Sequence, residues 1–201
     1  FRSHGSPMNV IEDNEFHQGW VRLGQQFGEG ARWPRPRRIL CISAHWMTQG
    51  FQLTAMATPR TIHDFGGFPQ SLFEQQYPAP GDPTWAAALA QAVRQPANGE
   101  PLVLDDHAWG LDHGSWSVLK PMFPAADIPV LQLSLNWDAP PADHLAMGRL
   151  LRPLRDRGVL VVASGMVVHN LRAMRREVPD DQAYDWTIAF DEQVARWLEA
   201  G

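Results

Sequence analysis

The chain has 201 residues, 44% of them hydrophobic, which is enough for one sizeable core and too few for two comfortable ones, so a single domain over residues 1–201 is expected. Seventeen basic against 22 acidic residues leave a net charge of -5, with clustered basic residues only in RPRR (35–38) and LRAMRR (171–176), which argues against nucleic acid as a partner. A single cysteine, Cys41, excludes an intramolecular disulfide, and no apolar run approaches the roughly 20 residues that cross a bilayer, so the expectation is a soluble, cytoplasmic protein with no membrane partner.

The first residues, FRSHGSP (1–7), read as the end of a strand whose beginning lies upstream, so the domain is expected to lack its first strand residues. A polar helical stretch follows around His17. RILCISAHW (38–46) and FQLTAMA (51–57) are apolar runs bounded by turn residues and predict strands. FPQSLFEQQYPAPGDP (68–83) is a long aromatic, Pro-rich connection, a type more often found as an active-site wall or an interface than as a passive link; an exposed aromatic surface there would suit a homodimer. DPTWAAALAQAVRQ (82–95) opens on Asp-Pro and predicts a helix, PLVLDD (101–106) a strand, and GLDHGSW (110–116) a helix start. PVLQLSLN (129–136) is another strand. PPADHLAMGRLLRPLRDRG (140–158) is a helix that Pro153 should distort and Gly158 should stop. GVLVVASG (158–165) predicts a strand and YDWTIAFDEQVARWLEAG (184–201) a helix with Ile188, Val194, Trp197 and Leu198 broadly on one side. Nearly uninterrupted apolar strands alternating with helices imply an α/β fold, a mostly parallel sheet flanked by helices on both faces.

In open α/β sheets ligands bind beyond the carboxyl ends of the strands. His45 ends one strand, His169 follows another, and His4 ends the third if residues 1–7 finish a strand. Three imidazoles from separate rigid elements make a site for zinc or ferrous iron, so a metal site is expected at the carboxyl edge. No closely spaced pair such as H-E-x-x-H supports it, and each histidine alone could equally be structural; their joint placement favours function. His113, beside Gly114 at a helix start, can donate to a bound oxygen or shuttle a proton, or merely bond a carbonyl. His63 and Phe65 share the loop TIHDFGGFP (61–69), which could clasp an aromatic ligand or simply cover the core. His17, His107 and His144 have polar neighbours and are set aside. There is no G-x-S-x-G elbow, Walker loop or G-x-G-x-x-G; Cys41 is an inert thiol within a strand, and Asp105, Asp106 and Asp112 are expected in turns and caps rather than as ligands.

SHGSPMN, SAHW, TIHDFGGFP, LDHGSWSVL and SGMVVHNL, in that order, together resemble the DOPA-type extradiol dioxygenases of the class III extradiol superfamily, and the resemblance runs from the first residues to about Trp197. It implies an α/β sheet with a metal at its carboxyl edge. It implies His4 and His45 as metal ligands, His169 as a residue near the metal or a base, His113 as an aid to oxygen activation or proton transfer, and His63 at the border of the substrate. Family members continue into a segment like H-P-x-x-E-H that supplies a further ligand. These 201 residues do not contain it, so the expected coordination sphere is incomplete as written and a C-terminal segment is expected to be missing. Arg2 stands where an apolar strand residue is expected, and Met166 where the family has asparagine.

The reaction implied is opening of a catechol ring next to its paired hydroxyls by Fe(II) and molecular oxygen, with Zn(II) able to fill the site in a purified sample. His4 and His45 hold the metal, His169 or His113 removes a hydroxyl proton, and Phe65 with Phe68 stacks on the ring. Two other readings use the same scaffold: a zinc-dependent hydrolase with metal-bound water as nucleophile, and an inactive metal-binding domain.

Overall fold

The computed structural model describes residues 4–168, 170–173 and 182–200. Its strands are β1 (Arg38–Thr48), β2 (Gln52–Thr54), β3 (Val103–Asp105), β4 (Val130–Asn136) and β5 (Val159–Ser164), and its α-helices are α1 (Glu15–Gly24), α2 (Gln70–Phe73), α3 (Pro83–Ala92), α4 (His113–Met122), α5 (Pro141–Leu151) and α6 (Asp185–Ala200). The chain forms two compact units, Phe1–Gly165 and Met166–Gly201.

The first unit is a five-stranded sheet in the order β3-β2-β4-β1-β5. β1 lies parallel to both β4 and β5, with Ile39 opposite Val130 and Leu160. β2 and β3 are parallel to each other, and β2 meets β4 antiparallel through the single pair Leu53–Leu133. The sheet is therefore α/β and mostly parallel, as the sequence predicts. β2 and β3 are shorter than the apolar runs that contain them.

Period-2 alternation divides the strand side chains between two cores. Ile39 and Cys41 of β1, Val130 of β4 and Val162 of β5 face a core built with Trp20 of α1 and Trp116, Leu119 and Met122 of α4. Leu40, Leu131 and Val159 face the other, with Ala86, Leu89 and Ala90 of α3 and Met147 and Leu151 of α5. Because both faces are covered, the strands read as continuous apolar runs rather than alternating ones. Where α1 crosses α4 the backbones nearly touch: a Cβ on Gly24 would stand 2.1 Å from the Met122 carbonyl oxygen.

Local signals set the helix ends. Asn14 caps α1 by accepting from Phe16 and His17 N–H, and Asp82 caps α3 by accepting from Trp85 N–H. Pro153 does end α5 early: the chain tightens into a 3-10 turn over Arg152–Arg157 and stops at Gly158, whose φ of 75° suits glycine. In the second unit no described residue of α6 is buried, and Trp197 and Leu198 are 61% and 67% exposed. The expected apolar side of this helix thus exists in the pattern without a core of its own. No helix among the described residues is long and apolar enough to cross a membrane.

Candidate active site

His45 does not leave β1 on a regular strand. Between the pairs Ile42–Leu133 and Met47–Leu135, β1 advances five residues against two on β4, so β1 bulges away from β4 there, while Ser43 stays paired with Ser164 of β5. Bulges re-aim side chains beside functional sites. Here the bulge brings the His45 ring to 4.8 Å from the ring of His4 and 3.9 Å from that of His113, between centroids. His4 is 1% exposed, and its position is fixed from two directions: Asn9 donates to its carbonyl, and its Nδ1 lies 3.0 Å from Ser164 Oγ at the carboxyl end of β5. Its Nε2 lies 3.0 Å from His45 Nε2. His113 is the first residue of α4 and is buried.

One donor nitrogen from each of His4, His45 and His113 lies within 4.8 Å of the other two, an arrangement that could hold a metal ion. Among the described residues the other such group is Asp105, Asp106 and His107. There Asp105 spends its carboxylate on the N–H groups of His107, Ala108 and Trp109, which is the turn role expected of it, and Asp106 and His107 are exposed.

Asp64 lies beside two of the three imidazoles. Its Oδ1 accepts the backbone N–H of His113 at 2.9 Å and stands 2.9 Å from His113 Nδ1, out of line for a hydrogen bond; Oδ2 is 3.7 Å from His45 Nδ1. Burial pushes the Asp64 carboxyl up, but hydrogen bonding and charge from His113 outweigh it and hold the group below its ordinary value. Asp112 behaves oppositely. It is fully buried as the cap of α4, and burial pushes its carboxyl up despite hydrogen bonds from Ser43 and Gln132. Gln132 in turn accepts from Ser115 Oγ at 2.7 Å, so a closed polar network lies under the histidines. Gly114 lets that network fit, because a Cβ there would stand 2.4 Å from Ser43 Oγ and 3.0 Å from His45 Cδ2.

An aromatic layer borders the imidazoles. The Phe65 ring meets His113 edge-on at 5.5 Å and also packs on Phe68 and Phe73, at 5.3 and 5.1 Å. His63 sits behind it, 5.7 Å from Phe65 and 5.5 Å from Trp116, with Nε2 2.9 Å from the Gln75 carbonyl oxygen. The Pro-rich stretch thus contributes Phe68 and Phe73 to this wall, while Tyr77 anchors it by donating to the Phe123 carbonyl.

Of the residues singled out from sequence, His4, His45, His113 and Phe65 come together, and His63 lies one layer further back. His169, expected as a metal ligand or base, lies outside the described residues. Asp64 and Ser164 are not among those singled out. Asp64 stands between His63 and Phe65, and its signal is an acidic residue inside a loop notable for its aromatics; Ser164 carries no signal in sequence, because only the folded chain brings it, 160 positions away, to His4.

A mostly parallel α/β sheet with a metal-competent histidine group at the carboxyl edge of its strands is the scaffold of a histidine-site α/β enzyme. The chain matches, over residues 1–201, the family described as the catalytic LigB subunit of aromatic ring-opening dioxygenase, and it belongs to that family of extradiol ring-cleavage dioxygenases. It is 51% identical over 194 residues to a 4,5-DOPA dioxygenase extradiol of Escherichia coli (strain K12), an alignment that covers 96% of this chain and 68% of the relative. It is 36% identical to a 4,5-DOPA dioxygenase extradiol of Beta vulgaris, covering 99% of this chain and 70% of that one. A crystal structure of an uncharacterised protein from Escherichia coli K12 superposes with a TM-score of 0.75 at 43% identity, over 95% of this chain and 68% of that chain.

Proposed function

We propose that this protein opens the ring of a small catechol, DOPA or a close analogue, beside its paired hydroxyls with molecular oxygen, and that Fe(II) held by His4 and His45 is the working metal. The observation that carries this reading is the convergence of the His4, His45 and His113 nitrogens within 4.8 Å. The names of the relatives supply the substrate class.

The donor set suits such an ion. Ser164 engages His4 Nδ1, which turns Nε2 toward His45 Nε2 at 3.0 Å. Two neutral imidazole nitrogens at that distance share one proton, and a cation can take the proton's place. Ferrous iron so held would supply the redox chemistry and the open positions for catechol and oxygen, whereas zinc accepts the same nitrogens without redox chemistry. His169 enters this reading by resemblance, as a further ligand or a second base.

Proton transfer, stacking and exclusion of water fall to side chains of the chain itself. His113 takes a hydroxyl proton from the bound catechol. Phe65, held by Phe68 and Phe73, offers an aromatic surface against which a planar ring stacks, next to that base. The burial of His4 and His113 keeps bulk water from the reacting oxygens.

Anaerobic loading of the protein with ferrous ion, followed by air and either DOPA or unsubstituted catechol, tests this directly. Oxygen uptake should match formation of a yellow ring-opened product, and the zinc-loaded protein should form none. Turnover that continues unchanged under nitrogen, or iron-loaded protein that leaves every catechol intact, overturns the proposal.

A further inference from the structure

We propose that Asp64 is a positioning residue that fixes the proton of His113 on Nδ1 and so leaves Nε2 as the nitrogen that works on substrate. This rests on the reading of His113 as the proton acceptor. The carboxylate is well placed to act on that ring, since its side chain is 17% exposed, Oδ1 accepts the His113 backbone N–H at 2.9 Å, and the same oxygen stands 2.9 Å from His113 Nδ1. The backbone bond ties the carboxylate to the first residue of α4, so ring and carboxylate cannot drift apart separately.

The sign of the contact follows from elementary electrostatics. A neutral imidazole has one N–H and one lone pair. A lone pair on Nδ1 and an N–H there project in the same direction, off the line to the oxygen, but at 2.9 Å the carboxylate charge still repels the first and attracts the second. Asp64 therefore selects the Nδ1–H form. Nε2 keeps its lone pair and can accept a hydroxyl proton, after which Nδ1–H and the carboxylate stabilise the imidazolium. The second oxygen, Oδ2, stands 3.7 Å from His45 Nδ1.

Two variants and two readouts test this. Nitrogen-15 NMR of the histidine rings in the metal-free full chain, at about pH 8.5 where ordinary imidazoles are neutral, should show His113 as Nδ1–H in the wild type, and shifted toward Nε2–H in Asp64→Ala. With ferrous ion loaded, kcat should fall by about 10- to 100-fold in Asp64→Ala and less in the isosteric Asp64→Asn, while KM for the catechol moves by less than about threefold. A wild-type His113 in the Nε2–H form overturns the proposal, as does a loss of kcat in Asp64→Ala with the tautomer unchanged. A shifted tautomer with kcat unchanged upholds the positioning of the ring and instead overturns His113 as the proton acceptor.

Discussion

Gly114→Ala adds a single methyl group where three elements meet. Its Cβ would stand 2.4 Å from Ser43 Oγ, 3.0 Å from His45 Cδ2 and 3.3 Å from Asp112 Oδ1, all inside the 3.4–4 Å of ordinary contact. Ser43 and Asp112 are fully buried and bonded, so neither can swing into solvent; β1 must draw back at Ser43, and His45, whose N–H bonds Ser43 Oγ, moves with it. Overpacking of this kind costs about 1–3 kcal/mol. Replacing a helical glycine returns at most about 1 kcal/mol of propensity. The net loss of about 0–3 kcal/mol lowers Tm by up to about 12 °C in a chain of this size. The larger effect falls on the site, since a shifted His45 should weaken metal binding by about 10- to 100-fold. Thermal unfolding followed by circular dichroism reads the first quantity, and competition against a chromophoric chelator reads the second. A variant with wild-type Tm and wild-type metal affinity would show that the bulge of β1 does not lean on α4, and the packing account of His45 would fail.

Other consequences are more local. Cys41 is completely buried and its thiol is pushed up to about 12, mainly by burial, so it should resist a thiol reagent at pH 8 until denaturant is added; rapid labelling of the native protein would contradict this. Phe65→Ala removes the aromatic contact beside His113, and with such pairs contributing about 0.5–1.5 kcal/mol it should raise KM for the catechol by about 2- to 13-fold with a smaller change in kcat; steady-state kinetics showing KM unchanged would exclude Phe65 from the substrate surface. The folded state holds Asp64 below its ordinary pKa, so the stability it contributes is present above about pH 3.9 and is lost as pH falls through the lowered value. Asp64→Asn should therefore be less stable than the wild type in urea at pH 7, with the gap closing below about pH 4; a gap independent of pH would refute the assignment.

Much of the architecture is legible in the residues themselves. The run LCIS in β1 identifies a buried central strand, since a sheet covered on both faces needs apolar side chains at successive positions, while LVVA in β5 has the same apolar pattern on a partly buried edge strand. Pro153 and Gly158 mark the end of a helix for purely local reasons of ring geometry and positive φ. The histidines at strand ends can be picked out one at a time from their neighbours. The short extents of β2 and β3 cannot, because strand length there is set by how much partner the sheet offers, a property of the pairing and not of either segment.

The assembly of the site is a tertiary fact. Pattern and motif suffice for an α/β sheet with imidazoles at its carboxyl edge, because periodicity and turn chemistry act over a few residues. That His113 joins His4 and His45, that Asp64 spans two of them, and that Ser164 holds the third depends on the bulge in β1 and on strand pairings that close long loops. Charge, hydrogen bonding and van der Waals contact act over ångströms of space, and only the folded chain brings positions 4, 45, 64, 113 and 164 within that range.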